Sequence, residues 1–244
     1  MIELAPGLHR VSNGVSHWYV VEEGGRLTLV DAGKPSDWAQ LLEALESLQR
    51  SLSDIDCVLL THAHSDHTGF AERARVEAQA TVRVHDADAA VAKGAKRART
   101  ERGYTAYLVH AEAYRTLFGL MGGGGLRIVP VTEVVTFAEG DRFDVPGKPR
   151  VVHAPGHTAG MAALFFEAQS WLCTGDALVT RNPMTGRLGP QVMPGSLNVS
   201  SAQALESLGR LAETHARLVL PGHGEPWDQG IEAAVSAART AGSS

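Results

Sequence analysis

The chain has 244 residues, 44% of them hydrophobic and 20% charged, which is typical of a folded globular protein with a substantial core. Its formal net charge of -5 provides no overall attraction to nucleic acid or to an anionic membrane. The amino terminus lacks a basic region followed by an apolar stretch, and no apolar run approaches the roughly 18 residues that a membrane span requires. We therefore expect a cytoplasmic protein without a nucleic-acid or membrane partner, and the sequence leaves its oligomeric state open.

The first half of the chain begins with short apolar runs separated by turn signals, which predict antiparallel strands and hairpins. After Pro35, the leucines of WAQLLEALESLQR recur at helical spacing, and the run IDCVLL then predicts a strand. Residues 67–80 predict a helix, and TVRVHD predicts a further strand. Residues 86–121 form a longer, charged segment of helical character before a run of glycines, and we interpret this segment as an insertion.

The second half repeats this order, because the short strands from RIVPV to SWLCTGD precede a predicted helix near residues 200–214. The strand RLVLPGHG and a final helix near residues 228–241 follow. Two face-to-face sheets with helices outside would accommodate strands followed by helices in each half. We expect a single domain over residues 1–244, with the helical insertion at about 86–121. Cys57 and Cys173 each lie in an apolar run, so we expect buried free thiols.

The segment HAHSDH directly follows the apolar run that ends at Leu60. It concentrates four side chains that can bind a metal ion, namely His62, His64, Asp66 and His67. Imidazole nitrogens and carboxylate oxygens are ligands for zinc, manganese and iron. This many donors in so short a loop predicts a metal centre with room for two ions.

Further donors are needed to complete two coordination shells, because one loop cannot supply them all. Three candidates share the same context: His157 in PGHT, Asp176 in TGDAL and His223 in PGHG. Each follows an apolar, strand-like run and lies near a glycine, which allows a close approach of the backbone. The repeated context predicts that these side chains join the first cluster.

Taken in this order, HAHSDH, PGHT, TGDAL and PGHG resemble the motifs of the metallo-β-lactamase superfamily of hydrolases. LVDAG at residues 29–33 resembles the superfamily's early strand-end motif, whose aspartate supports the ligands and is Asp31 here. The resemblance spans essentially the whole chain and implies the four-layer αββα sandwich of this fold. It also implies a first metal site formed by His62, His64 and His157. The second metal site would be formed by Asp66, His67 and His223, and Asp176 would be a ligand shared by both metals.

The shared ligand separates branches of the superfamily. With Asp176 in this position the chain is similar to the glyoxalase II and lactonase branches, whereas antibiotic-hydrolysing members typically have cysteine or serine there. The resemblance implies two divalent ions, with Zn²⁺ favoured over Mn²⁺ or Fe²⁺, and a small-molecule substrate. We predict hydrolysis of an ester, thioester or lactone by a hydroxide that bridges the metals, with Asp66 as the catalytic carboxylate that orients it. A true β-lactamase is not expected.

Two alternatives stay open. TGDALVTR also resembles the persulfide dioxygenase branch, which uses a single iron, although the complete second donor set favours a dinuclear hydrolase. A metal-dependent binding or sensing protein could also keep the same ligands without turnover. Turnover of a generic ester or lactone that is lost in His64→Ala would distinguish an enzyme from a sensor.

Two segments are candidates for substrate recognition. The 86–121 segment begins with basic residues, which predict a solvated face, and continues with the aromatic residues Tyr104, Tyr107 and Tyr114. Tyr107 and Tyr114 share one helical face with His110 by spacing, so this part either packs as a helix or forms a lid over the metals. Residues 180–200 are rich in glycine and proline and form either a connector or a pocket wall, with Met184 and Met193 as apolar contacts.

The remaining histidines are expected to lie outside the metal centre. Surface or core roles are predicted for His9, His17, His85, His110 and His215. His153 precedes His157 by four residues and is a candidate for orienting that ligand.

Overall fold

The computed structural model describes residues 1–96 and 100–242, and its larger sheet follows the order of the chain. The strands of this sheet are β1 (Ile2–Ala5), β2 (Leu8–Ser12), β3 (His17–Glu23), β4 (Arg26–Val30), β5 (Ile55–Leu59), β6 (Thr81–His85) and β7 (Val135–Phe137). Neighbours from β1 to β4 pair antiparallel, as the hairpin pattern predicts. From β4 to β7 the pairing is parallel, so β4, β5 and β6 end at the same edge.

The second sheet contains β8 (Arg150–His153), β9 (Ala162–Phe166), β10 (Trp171–Gly175) and β13 (Leu218–Pro221), in the spatial order β13-β10-β9-β8. In it, β10 and β13 are parallel, so these two strands also end at one edge. The strands β11 (Val179–Arg181) and β12 (Leu188–Gln191) form a separate antiparallel ribbon. Each sheet therefore has neighbouring parallel strands whose carboxyl ends lead into adjacent loops.

Helices cover the outer face of each sheet. The described helices are α1 (Trp38–Ser47), α2 (Ala71–Glu77), α3 (Ala89–Ala92), α4 (Ala111–Gly122), α5 (Ser201–Ala212) and α6 (Ile231–Ala241). One apolar cluster joins α1 and α2 to the first sheet, and another joins α5 and α6 to the second. A third cluster lies between the sheets and contains Leu164 and Phe166 of β9. These three layers of side chains separate four layers of backbone, so the predicted αββα sandwich is confirmed.

The two cysteines lie in the apolar layer between the sheets, as buried free thiols. Cys57 belongs to β5 of the first sheet and Cys173 to β10 of the second. Burial raises the pKa of the Cys57 thiol to about 12, and Arg83 opposes that shift only in part. The prediction of buried thiols without a disulfide is therefore confirmed.

The 86–121 segment departs from a continuous helix. The short helix α3 is followed by a 3-10 turn at Thr105–Tyr107 and then by α4, so Tyr107 and Tyr114 do not share one helical face. Glu101 N donates a hydrogen bond to Asn198 O at 2.6 Å, in the 180–200 segment. In a continuous helix this N–H group would bond to a carbonyl within the helix. Arg97 and Arg99 of the predicted basic face lie outside the described residues. Among the described residues, no helix combines the length and apolarity needed to cross a membrane.

Candidate metal centre

The side chains of the four predicted motifs converge at the edge of the sandwich. In one group, His157 Nε2 lies 2.8 Å from His64 Nδ1 and 3.2 Å from His62 Nε2. In a second group, Asp66 Oδ2 lies 3.6 Å from His67 Nε2 and 3.6 Å from His223 Nε2. Within each group the donor atoms all lie within 4.8 Å of one another. The structure thus places the six predicted outer ligands in two triads.

Asp176 lies between these triads. Its Oδ2 atom is 3.4 Å from His157 Nε2 and 3.2 Å from His223 Nε2, so one carboxylate oxygen contacts a member of each triad. Its Oδ1 atom lies 3.6 Å from His67 Nε2. The Asp176 side chain is buried, and its position matches that expected of a ligand shared by two ions.

Strand ends bring the motifs together. The HAHSDH loop follows β5, whereas Asp176 follows β10 and His223 follows β13 after one glycine. That residue, Gly222, is required by close packing, because a Cβ atom there would lie 2.3 Å from Asp176 Oδ1 and 2.8 Å from His67 Cε1. The glycine between β13 and His223 thus has a direct structural reason.

Asp31 orients the ligand loop from behind. Its Oδ2 atom lies 2.8 Å from His67 Nδ1, and its Oδ1 atom accepts a hydrogen bond from Thr61 N at 2.7 Å. The Thr61 hydroxyl in turn lies 3.0 Å from His62 Nδ1. A carboxylate that is hydrogen-bonded to one ring nitrogen fixes an imidazole so that its other nitrogen, here Nε2 of His67, can bind a metal. This is the supporting role that the resemblance implies for Asp31.

The Nδ1 atoms of two further histidines also have hydrogen-bond partners. His157 Nδ1 lies 3.2 Å from Asn198 Oδ1, and His223 Nδ1 lies 2.7 Å from the backbone oxygen of Val15. Sequence reasoning identified neither partner, because both come from loops distant in the chain. Asn198 lies in the glycine- and proline-rich 180–200 segment, and its local sequence, SLNVS, does not resemble a metal-binding motif.

His153 supports the backbone of the ligand loop and not the ligand itself. His153 Nε2 lies 2.9 Å from the backbone oxygen of Ala159, two residues after His157. Its ring also stacks on His85, with centroids 4.1 Å apart. The other histidines predicted to be outside the centre are absent from the donor groups found among the described residues. His215, for example, pairs with Glu232 at an exposed position.

The electrostatics of the centre favour neutral histidines in the first triad. Burial, together with the neighbouring His64, lowers the pKa of His157 to about 3. Burial likewise holds the pKa of His62 well below its ordinary value. A neutral imidazole retains the lone pair that a metal ion requires.

The second triad favours positive charge. Burial opposes protonation of His67, but Asp176, Asp66 and Asp31 outweigh it and raise the His67 pKa to about 10. Burial also opposes ionisation of Asp176, yet His223 and His67 hold its pKa well below the usual range. Carboxylates that stabilise a proton here would equally stabilise a metal cation.

Two buried atoms at the centre of the cluster lack hydrogen-bond partners, namely His67 Nε2 and Asp176 Oδ1. A buried polar atom without a partner costs about 1 to 3 kcal/mol. These atoms lie 3.6 Å apart, and coordination to a cation would satisfy both. The donor set therefore fits divalent metal ions.

The two candidate recognition segments pack against each other beside the centre. Tyr107 and Ala113 form a small apolar cluster with Met184, and Leu197 packs against it. The Thr116 hydroxyl donates to the backbone oxygen of Pro183 at 2.6 Å, which ties α4 to the 180–200 segment. Tyr104 and Tyr114 remain 51% and 43% exposed, whereas Tyr107 is buried.

Fold and donor set together define a metal-dependent hydrolase of the αββα type. The model of the metallo-beta-lactamase superfamily matches residues 11–223, so the chain belongs to this superfamily. The probable metallo-hydrolase YflN of Bacillus subtilis is 24% identical over 244 residues, which cover 92% of this chain and 86% of that protein. Family and relatives place the chain among the metallohydrolases.

Solved structures with the same fold are also similar to the chain. TTHA1623, whose structure was determined in a di-iron-bound form, is 25% identical with a TM-score of 0.62, covering 93% of this chain and 96% of that one. A mutant metallo-beta-lactamase from Cronobacter sakazakii has a TM-score of 0.72 at 18% identity, covering 98% of this chain and 94% of that one. The latter similarity is one of fold alone.

Proposed function

We propose that this metallohydrolase is dinuclear and cleaves an ester, thioester or lactone in a small-molecule substrate. The observation that supports the proposal most is the position of Asp176, whose Oδ2 atom lies 3.4 Å from one triad at His157 and 3.2 Å from the other at His223. A single-metal centre would need only one of these triads. The complete second triad therefore favours the hydrolase over a mononuclear dioxygenase.

In this proposal the first ion is held by His62, His64 and His157, the second by Asp66, His67 and His223, and Asp176 is shared. When bound, the two ions would lower the pKa of a water molecule and polarise the carbonyl group of the substrate. The nitrogen and oxygen donors suit Zn²⁺, with Mn²⁺ and Fe²⁺ as alternatives. The two irons bound by TTHA1623 support a pair of ions and keep iron among the candidates.

Asp66 is the carboxylate that would act as general base and general acid in this proposal. Its side chain is 14% exposed, whereas that of Asp176 is 2% exposed, so Asp66 lies on the accessible side of the centre. Its backbone oxygen accepts a hydrogen bond from the Ser16 hydroxyl at 2.9 Å, which anchors the residue. Asp66 would orient the attacking water, accept its proton and return a proton to the departing group.

The ease with which the leaving group departs determines which substrates we favour. An alkoxide or a thiolate departs more readily than an amine anion, so one carboxylate such as Asp66 suffices as proton donor for esters, thioesters and lactones. We place lactams lower for the same reason. Specificity is assigned to the 86–121 and 180–200 segments, which pack together through Tyr107 and Met184 and leave the ligand loops to hold the ions.

The test combines metal analysis with a substrate panel. Protein reconstituted with zinc, manganese or iron is expected to hold two ions per chain and to hydrolyse members of a panel of lactones, thioesters, aryl esters and β-lactams. Asp176→Ala should lower metal affinity or turnover by about 10-fold to 100-fold or more, since even ligand-supporting residues contribute that much. Asp144→Ala, at a side chain 97% exposed, is the matched control. A firm stoichiometry of one ion under saturating metal would refute the dinuclear centre and favour the dioxygenase.

A further inference from the structure

Asp88 is a buried carboxylate next to the first triad that the proposed chemistry does not use. It ends a short 3-10 turn, Asp86–Asp88, directly after β6, and its side chain is 2% exposed. Both carboxylate oxygens accept hydrogen bonds. Oδ2 accepts from Ala63 N at 3.1 Å and from the Thr158 hydroxyl at 2.7 Å, and Oδ1 accepts from Gly160 N at 2.8 Å.

The three donors belong to two different ligand loops. Ala63 lies between His62 and His64, in the loop that follows the first sheet's β5. Thr158 directly follows His157, in the loop between β8 and β9 of the second sheet. The Asp88 side chain therefore joins the loops that supply the first triad, one from each sheet.

The packing around this carboxylate is tight. A Cβ atom on Gly160 would lie 2.7 Å from Asp88 Cβ and 2.7 Å from Asp88 Cγ, so only glycine permits the approach of the His157 loop. A backbone hydrogen bond from Ala162 N to Thr61 O at 2.9 Å also joins these loops. Asp88 adds three bonds, two of them to Ala63 and Thr158, which are direct chain neighbours of the proposed ligands.

We propose that Asp88 is a positioning residue for the first metal site, where it sets the separation between His157 and the pair His62 and His64. This inference rests on the proposed metal centre. Between the two loops that Asp88 joins, His157 Nε2 lies 2.8 Å from His64 Nδ1. The second triad is supported by other groups, since His67 contacts Asp31 and His223 contacts Val15. Loss of the Asp88 carboxylate should therefore weaken one metal site selectively.

The main variant is Asp88→Asn, which keeps the size of the side chain but replaces one acceptor oxygen by an NH₂ group that faces a donor. The matched control is Asp37→Asn. Asp37 is also buried and accepts a backbone hydrogen bond from Lys34 N at 2.8 Å. Unlike the donors to Asp88, Lys34 does not belong to a loop that carries a proposed ligand. Thr158→Val is a milder second variant that removes one of the three bonds without removing the carboxylate.

Metal affinity is the readout, measured by titrating the metal-free full chain with Zn²⁺ in competition with a chromophoric chelator. Asp88→Asn should weaken one of the two binding steps by about 10-fold to 100-fold, the range typical of residues behind metal ligands. Thr158→Val should weaken the same step by less, and Asp37→Asn should leave both steps as in the wild type. Thermal unfolding of the metal-free variants separates this effect from a general loss of stability.

Two backgrounds identify the affected site by a double-mutant cycle. With the second triad disabled by His223→Ala, Asp88→Asn should still weaken zinc binding. With the first triad disabled by His157→Ala, it should have no further effect. If wild-type protein binds no metal, the proposed function itself fails. If wild-type protein binds two ions and both Asp88→Asn and Thr158→Val bind them with wild-type affinity, or if Asp88→Asn weakens both steps equally, only the role of Asp88 is overturned.

Discussion

The side-chain oxygen of Asn198 lies 3.2 Å from Nδ1 of His157, so a residue of the 180–200 segment is in contact with a proposed ligand of the first metal. The same asparagine is anchored by its amide, which donates to the backbone oxygen of Met193 at 2.6 Å. Its own backbone oxygen accepts the hydrogen bond from Glu101 N at 2.6 Å. The two candidate recognition segments and the metal centre are thereby connected through one residue, by its backbone and its side chain.

Asn198→Ala should lower zinc affinity and turnover by about 10-fold to 100-fold, because His157 would lose the partner that fixes its ring. Competition titration with zinc and steady-state kinetics measure the two effects. Gln203→Ala, at an exposed position on the nearby helix α5, is the control and should behave as the wild type. Unchanged metal affinity in Asn198→Ala would show that the His157 ring is held without this contact.

Tyr104, Tyr107 and Tyr114 should separate into two groups. Tyr107 is buried against Met184, so Tyr107→Ala should destabilise the fold by about 3 to 5 kcal/mol, as large-to-small substitutions of buried aromatic residues do. Tyr104→Ala and Tyr114→Ala should stay close to wild-type stability, since both side chains are about half exposed. Chemical denaturation measures these differences.

The exposed tyrosines are also expected to influence substrate choice. If either contacts the substrate, its removal should change the ratio of kcat/KM between the two best substrates of the panel by about 10-fold to 200-fold, with metal content unaltered. A wild-type ratio in Tyr104→Ala, Tyr107→Ala and Tyr114→Ala would mean that the 86–121 segment is packed scaffold and not a lid.

Gly222→Ala should disrupt the metal centre although it adds only a methyl group. The new Cβ atom would lie 2.3 Å from Asp176 Oδ1, and this carboxylate has to shift to make room. We expect a loss of bound metal together with a loss of turnover, quantified by elemental analysis. Gly103→Ala is the matched control, because nothing lies within 4 Å of the added atom there. Two ions per chain in Gly222→Ala would contradict the close packing at Asp176.

Glu72 predicts a pH-dependent contribution to stability. The Arg75 guanidinium and the Thr132 hydroxyl and backbone hold its pKa at about 2, below the ordinary value of 4.5. Because the folded-state pKa is depressed, the stabilisation is present above pH 4.5 and is lost as the pH falls toward about 2. The Glu72 and Arg75 side chains are partly exposed, at 20% and 26%, so screening by solvent limits the effect to about 1 kcal/mol or less. Urea unfolding of Glu72→Gln should show a deficit at pH 7 that disappears at pH 2, and a constant deficit would contradict this origin.

The convergence of the proposed metal ligands could be predicted from the sequence because each follows an apolar strand, and the carboxyl ends of parallel strands meet at one edge of a sheet. His67, Asp176 and His223 all converge in this way, and the sandwich follows from the order of strands and helices. The resemblance of LVDAG to a superfamily motif implied a supporting role for Asp31, and its carboxylate lies 2.8 Å from His67 Nδ1.

The supporting residues could not be predicted in the same way. Asp88 and Asn198 act through side-chain hydrogen bonds to loops far away in the chain, and a local pattern carries no information about such partners. The break in helical structure within the 86–121 segment could not be predicted for a related reason. Gly94 turns the backbone to a φ of 71° after α3, and Glu101 N then bonds to Asn198 O and not within a helix. Tertiary contacts outweigh helical propensity there.

The two cysteines give the sandwich an internal reporter of its own opening. Cys57 and Cys173 approach the same inter-sheet layer from opposite sheets, and neither thiol is accessible while the sheets are packed. A thiol reagent can therefore modify them only in molecules whose sheets have separated, so the labelling rate in the native protein measures how often the two halves part. Comparing that rate with and without zinc would show how far ions bound at the edge hold the two halves together.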